Sequence, residues 1–266
     1  MPILELNDKI KLNYVDVGEG EHTFLLIHGW TANLHRWDKQ IEFLSKYYRV
    51  VAVDLRGHGK SNKPSDVPYN IREYTADMIK LLDKLGIEKA IIAGHSMGGM
   101  IAQMLFFNQK PRVEGLILVG TTSKVVDNFA MKFNTSLAIF LMKLSYSLGY
   151  KIVLGRAFSN LTPKEEKEKH IREGLETVPK YVAISSFSDF VKNFDTRSKL
   201  KEINIPTLII VGENDRMLPP RMSQFLHHNI KDSELNVIPE AGHEVMLEAS
   251  EEVNKAIDTF MLKFKE

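Results

Sequence analysis

The sequence predicts an α/β protein, in which a mostly parallel sheet is covered by helices on both faces and the alternation of strand and helix is interrupted once. Three observations carry this reading. Short apolar runs recur at strand length: "TFLLIHG" (23–29), "RVVAVDL" (49–55), "KAIIAGHS" (89–96), "EGLILVG" (114–120), "TLIIVG" (207–212) and "ELNVIP" (234–239). They are nearly continuous rather than alternating, as strands buried on both faces are. Stretches of helical period separate them, and 266 residues at 44% apolar content suffice for one elaborated domain with a full core.

Taken in chain order, residues 1–16 read as two strands joined at "NDK", an antiparallel hairpin for a sheet edge. After the strand at 23–29, Trp37, Ile41 and Leu44 share one helical face. After the strand at 49–55, Tyr74, Met78, Leu81 and Leu85 mark a second helix. Asn70 with Glu73 makes its capping box, and Gly86 stands where a left-handed stop belongs. The run at 89–96 leads into "MGGMIAQMLFF", which reads as a helix. Beyond the run at 114–120 the alternation fails, and no strand pattern is found between Thr121 and about Asp195. That block holds an apolar helical stretch rich in Phe and Met (129–148), a polar helix capped at "TPKE" (Thr162 to Glu165), and a third helical segment near 179–193. Its charge run "KEEKEKHIRE" reads as a solvated helix face. The expected division is therefore a core of 1–121 and 196–266 with a helical insertion, 122–195, over the C-terminal edge of the sheet. Val253, Ile257, Phe260 and Phe264 mark the last helix.

Composition narrows the function classes. A net charge of +1 gives no long-range pull toward nucleic acid or an anionic membrane. The absence of cysteine removes disulfides, thiol catalysis and thiolate metal sites. "MPILELNDKIKLNY" lacks the basic–apolar–small layout of a signal peptide, and Lys143, Gly149 and Lys151 interrupt the apolar stretch 137–154, so a cytoplasmic protein without a membrane span is expected.

The chemistry centres on "AGHSMGGM" (93–100), where a buried-looking strand ends and one serine stands among three glycines. Gly94-His95-Ser96-Met97-Gly98 has the spacing of a nucleophile elbow: the serine sits on a tight strand-to-helix turn, and the two glycines keep Cβ atoms out of the crossing. The helix N-terminus adds partial positive charge where an oxyanion would form. Acyl transfer needs two backbone N–H groups aimed at that oxygen. Met97 N–H supplies one; "IHGWT" places Trp30 N–H as the other, with Gly29 allowing close approach and His28 as a turn residue bonded to its own loop. In "VGENDRMLPP" (211–220), Asp215 and its neighbour Glu213 both lie just beyond a strand, where a carboxylate can orient a histidine. In "PEAGHEVMLE" (239–248), His243 follows a strand and a glycine, placed among the nine histidines to take the proton of Ser96.

"HGW", "DLRGHGKS", "GHSMGG", "VGENDRMLP" and "AGH" together resemble the α/β-hydrolase superfamily over nearly the whole chain, in its serine-nucleophile branch. The resemblance implies an eight-stranded, mostly parallel sheet with strand 2 antiparallel, and a helical cap after the sixth strand. It implies Ser96 as nucleophile, Asp215 rather than Glu213 as acid, His243 as base, Trp30 and Met97 as oxyanion donors, and Asp54 to Ser61 as a structural loop beside the site. A serine at 96 sets the chain apart from the dehalogenases and epoxide hydrolases of this fold, which use an aspartate nucleophile. The stretch 67–103 is similar to 3-oxoadipate enol-lactonases and small carboxylesterases, although an apolar residue is commoner in the lactonase elbow where His95 stands. Because 129–148 offers Phe, Met and Leu with only Lys132 and Lys143 as cations, the expected substrate is a small-molecule ester with a small to medium, mostly apolar acyl group. A lactone, or C–C bond hydrolysis on the same triad, is the alternative, and a slow-turnover ligand receptor a further one. No metal and no organic cofactor is needed for acyl transfer of this kind.

Overall fold

The computed structural model describes residues 2–126 and 129–264. Strands β1 (Ile3–Glu5), β2 (Lys11–Val17), β3 (Thr23–Ile27), β4 (Arg49–Val53), β5 (Ala90–His95), β6 (Val113–Val119), β7 (Thr207–Gly212) and β8 (Ser233–Ile238) form one sheet. Its order is β1-β2-β4-β3-β5-β6-β7-β8, with β1 and β4 pairing antiparallel to β2 and every later pair parallel. The hairpin between β1 and β2 turns on Asn7, whose Oδ1 accepts the Lys9 and Ile10 N–H groups at 2.9 Å each.

Strand side chains divide alternately between two cores, which explains why the runs are apolar throughout. On one face Phe24, Leu26, Val50, Ala52, Ile91 and Ala93 pack with helices α1 (Asp38–Leu44), α9 (Val245–Glu248) and α10 (Ser250–Met261). On the other face Leu25, Ile27, Val51, Val53 and Ile92 meet α2 (Ile71–Lys84), α3 (Met97–Asn108) and α8 (Pro220–Asn229). The cap of α2 forms as its pattern predicts: Glu73 N–H donates to Asn70 Oδ1 at 2.9 Å, and Gly86 has a φ of +64°. Arg56 is held under this face by a two-pronged ion pair with the buried carboxylate of Asp77.

Between β6 and β7 run α4 (Phe129–Leu144), α5 (Tyr146–Leu154), α6 (Lys164–Thr177) and α7 (Lys180–Asn193). Among the described residues of this stretch, strand-like pairing is limited to one bridge, Lys124 with Asp195. Two local expectations are corrected. The apolar stretch 129–148 is not one helix but parts of two, broken at Ser145. The chain folds back so tightly that a Cβ on Gly149 would lie 2.5 Å from Met142 N. The capping box at Thr162 does not form: α6 begins at Lys164 after Pro163, and Thr162 Oγ1 donates instead to Glu248. Among the described residues no helix is long and apolar enough to cross a membrane.

Candidate active site

Ser96 lies between β5 and α3 with φ +53° and ψ −116°, a conformation that an L residue holds only when its surroundings impose it. Those surroundings are specific. Ser96 N–H donates to Val119 O at 2.9 Å, and Ser96 O accepts from Thr121 Oγ1 at 2.8 Å. A Cβ on Gly94 would lie 2.2 Å from Gly98 O, and one on Gly98 would lie 2.2 Å from Ile27 O. Strand, helix and the neighbouring strand therefore touch through bare backbone at the turn that carries the hydroxyl.

The other groups arrive from the C-terminal ends of neighbouring strands, where ligands of open α/β sheets bind. Asp215 follows β7 and His243 follows β8; both are 3% exposed. His243 Nδ1–H donates to Asp215 Oδ2 at 2.7 Å, and Ser96 Oγ lies 2.9 Å from His243 Nε2. The second oxygen of Asp215 accepts the Met217 and Leu218 N–H groups at 2.8 Å each, which fixes the carboxylate plane. Glu213, its rival in the sequence, is exposed and accepts from Glu240 N–H at 3.2 Å. Burial pulls the His243 pKa down, but the charge and hydrogen bond of Asp215, with Glu244 and Glu248 behind it, outweigh this and raise it above the ordinary 6.5.

The loop after β3 faces the elbow. A Cβ on Gly29 would sit 2.9 Å from His95 Nδ1 and 3.3 Å from Ser96 Cβ. Among the described residues, neither Trp30 N–H nor Met97 N–H has an acceptor within the chain. The Trp30 indole packs on Phe187, with centroids 4.8 Å apart, and donates to Ala183 O at 3.0 Å, so α7 holds this loop from above. Thr31, next along, is β-branched yet has φ +56°; its hydroxyl donates to Trp30 O and accepts from Tyr150 at 2.8 Å. No pattern in the sequence marks Thr31. His28 accepts from Leu55 N–H at 3.0 Å and lies 2.7 Å from Gly29 O through its other nitrogen. Burial lowers its pKa to about 4, so it is a neutral buried strut. His95, read in the sequence as part of a turn, donates through Nε2 to His243 O at 2.9 Å and ties the elbow to the histidine loop.

Residues 155–163, between α5 and α6, hold that histidine loop from the other side. His243 N–H donates to Ala157 O at 2.7 Å. Glu248 accepts from Ser159 N–H and Gly242 N–H at 2.6 Å each, as well as from Thr162 Oγ1. Below lies a buried charge cluster. Arg36 contacts His170 of α6 and approaches Glu173 and Glu244 at 4.0 Å, while Asn33 Nδ2 donates to Glu173 at 2.6 Å. Burial works to raise the Glu244 pKa, but Arg36 and three histidines hold it below the usual carboxylate range.

Above Ser96 opens a cavity of about 250 Å³. Its walls are mainly apolar, with Trp30, Met100, Leu141, Val153, Phe187 and Phe190 among them. Three arginines also line it: Arg156, Arg216 and Arg221. This overturns the expectation that Lys132 and Lys143 are the cations on offer, since the cavity's cations come from outside 129–148. Among the described residues no group of three or more His, Cys, Asp or Glu is placed to hold a metal ion.

Comparison with known proteins agrees with this architecture. The chain is 28% identical over 273 residues to 3-oxoadipate enol-lactonase 2 of Acinetobacter baylyi, spanning 99% of this chain and 100% of that protein. It is similar to the solved structure of an esterase from Exiguobacterium antarcticum, with a TM-score of 0.88 at 25% identity over 97% of this chain and 98% of that one. A thermophilic esterase from Thermogutta terrifontis superposes with a TM-score of 0.85 at 27% identity over 96% of this chain and 94% of that one. The family described as serine aminopeptidase, S33, matches residues 18–250. With that match over most of its length and this sheet, the chain belongs to the S33 serine aminopeptidase family of hydrolases within the α/β-hydrolase superfamily.

Proposed function

We propose that the protein is a serine hydrolase that cleaves carboxylic esters of small to medium, mostly apolar acyl groups through an acyl-enzyme. The observation that carries this reading is the unbroken hydrogen-bond line Asp215–His243–Ser96 under an apolar cavity. His243 accepts the Ser96 proton while the hydroxyl attacks the ester carbonyl, and Asp215 stabilises the imidazolium that forms. The Trp30 and Met97 amides, free of acceptors among the described residues, hold the oxyanion, helped by the N-terminus of α3. His243 then protonates the leaving alcohol, and water activated by the same imidazole releases the acid. Side chains and amides serve every step, so the reaction calls for no metal or organic cofactor. In this reading residues 122–195 act as a cap: α4, α5 and α7 wall the cavity and set which acyl groups fit. The esterase and lactonase names of the relatives support an ester or lactone as substrate.

The test is turnover of p-nitrophenyl acetate and butyrate by the parent and by Ser96→Ala, together with labelling by a fluorophosphonate. The parent hydrolyses both esters and is labelled, and the variant does neither. Undiminished turnover or labelling of the variant removes Ser96 from the reaction.

A further inference from the structure

Among the described residues, the charged side chains that line the cavity over Ser96 are all cationic. Arg156, Arg216 and Arg221 line it, and no Asp, Glu or Lys is among its described lining residues. The three come from two separate parts of the chain. Arg156 follows α5, while Arg216 and Arg221 lie in the loop after Asp215 and the first turn of α8. All three are exposed, so solvent and a ligand can reach them. Among the described residues the Arg156 side chain has no ion pair or hydrogen bond, and the one hydrogen bond of the Arg216 side chain goes to Phe158 O at 3.2 Å. Arg49, Arg56, Arg112 and Arg197 are paired with Asp16, Asp77, Asp83 and Asp195, whereas among the described residues Arg72 and Arg172, exposed on helices away from the cavity lining, have no carboxylate partner.

Two guanidinium groups without carboxylate partners, at the rim of an apolar cavity, make a receptor for an anion. Low-dielectric walls focus their field toward the opening. The planar fork of each matches the two oxygens of a carboxylate. Because the alcohol of an ester leaves in the first half-reaction, and that of a lactone stays joined to the acyl group, a contact kept through both halves is one made to the acyl part. We propose that Arg156 and Arg216 form an anion subsite, and that the natural substrate is an ester or lactone whose acyl chain ends in a carboxylate. The proposal rests on the ester-hydrolase reading above. The apolar methylenes lie along the cavity wall, the scissile carbonyl meets Ser96, and the far carboxylate sits at the mouth. Addition of water across the acyl C–O bond then yields a dicarboxylic acid and a free alcohol from an ester, or one hydroxy dicarboxylic acid from a lactone, with both carboxylates ionised at neutral pH.

The experiment compares kcat/KM for mono-p-nitrophenyl glutarate and adipate with that for p-nitrophenyl pentanoate and hexanoate. It uses the parent, Arg156→Gln, Arg216→Gln and the double variant. The quantity read is the ratio of charged to neutral ester. The parent favours the charged esters by about 10- to 100-fold, the worth of one or two charge-assisted hydrogen bonds, mainly through KM. The ratio falls toward one in the double variant. Arg156→Gln, distant in sequence from Asp215, supplies part of the fall by itself. A parent without preference for the charged esters, or a double variant that keeps it, overturns the subsite while leaving the hydrolase reading intact. A parent inert to all four esters and unlabelled by fluorophosphonate overturns both.

Discussion

Replacing Asp215 by Asn tests the site with almost no change in shape. One carboxylate oxygen accepts two backbone N–H groups, of Met217 and Leu218, at 2.8 Å each. The amide of Asn must keep its carbonyl there, because turning its NH₂ toward two donors would leave three donors facing one another without an acceptor. The NH₂ then faces His243 Nδ1 in place of the oxygen now 2.7 Å away. Nδ1 becomes an acceptor, so the imidazole proton moves to Nε2, which faces Ser96 and can no longer take its proton. The loss expected for an inverted tautomer is about 10⁴-fold in kcat, or about 5.5 kcal/mol of transition-state stabilisation. The assay is p-nitrophenyl butyrate hydrolysis at stepped pH, with a thermal melt to show that the variant is folded. A second signature is independent of the absolute rate. Activity of the parent falls as pH drops through the His243 pKa, because only neutral imidazole acts as base, and Asp215 contributes to holding that pKa above 6.5. In Asp215→Asn the inflection of any residual activity shifts to lower pH. A folded variant within tenfold of the parent, with its inflection unmoved, would refute the role given to this carboxylate.

Three further outcomes follow from the same geometry. Gly98→Ala puts a methyl 2.2 Å from Ile27 O and lowers stability by about 3 kcal/mol or more, whereas Gly86→Ala meets no atom within 4 Å and costs only the strain of φ +64°, about 1–2 kcal/mol; urea denaturation ranks the two. Asp77→Ala removes the two-pronged partner of the Arg56 guanidinium, 5% exposed, leaves it only Glu73 at 3.5 Å and Pro68 O at 3.3 Å, and costs about 3 kcal/mol in the same assay. Finally, a hydrogen bond from His170, with Asn33 and Arg36 beside it, lowers the Glu173 pKa to about 2 against the effect of burial. A carboxyl depressed in the folded state stabilises it above the ordinary 4.5 and loses that contribution as pH falls toward 2. The parent's urea midpoint therefore falls more steeply than that of Glu173→Gln between pH 4.5 and 2, and parallel curves would dismiss the contact.

Legibility followed how local the cause was. The runs at 23–29 and 207–212 announce buried strands because each residue has a core to enter, whichever face it takes. The elbow is readable because backbone contact at Gly94 and Gly98 demands glycine at those spacings. Asp215 and Glu213 are two residues apart, and composition does not tell them apart; the bond to His243 does. What stayed hidden is what distant segments do to one another. Thr162 has a good capping pattern, yet Glu248, 86 residues away, takes its hydroxyl. The lining arginines share no local signal, because the pocket exists only once α4–α8 are packed. Thr31 adopts its left-handed backbone under contacts from Tyr150, a residue of α5.

The carboxylate of Glu248 bears on how this scaffold can diversify. It grips both the segment 159–162 of the helical insertion and the backbone beside the histidine, so under the proposed function selectivity and reactivity are mechanically coupled. A transplant of foreign helices between β6 and β7 will recover turnover only if the donor segment brings an N–H and a hydroxyl to meet that acceptor. Otherwise the new enzyme inherits a pocket and misplaces its base.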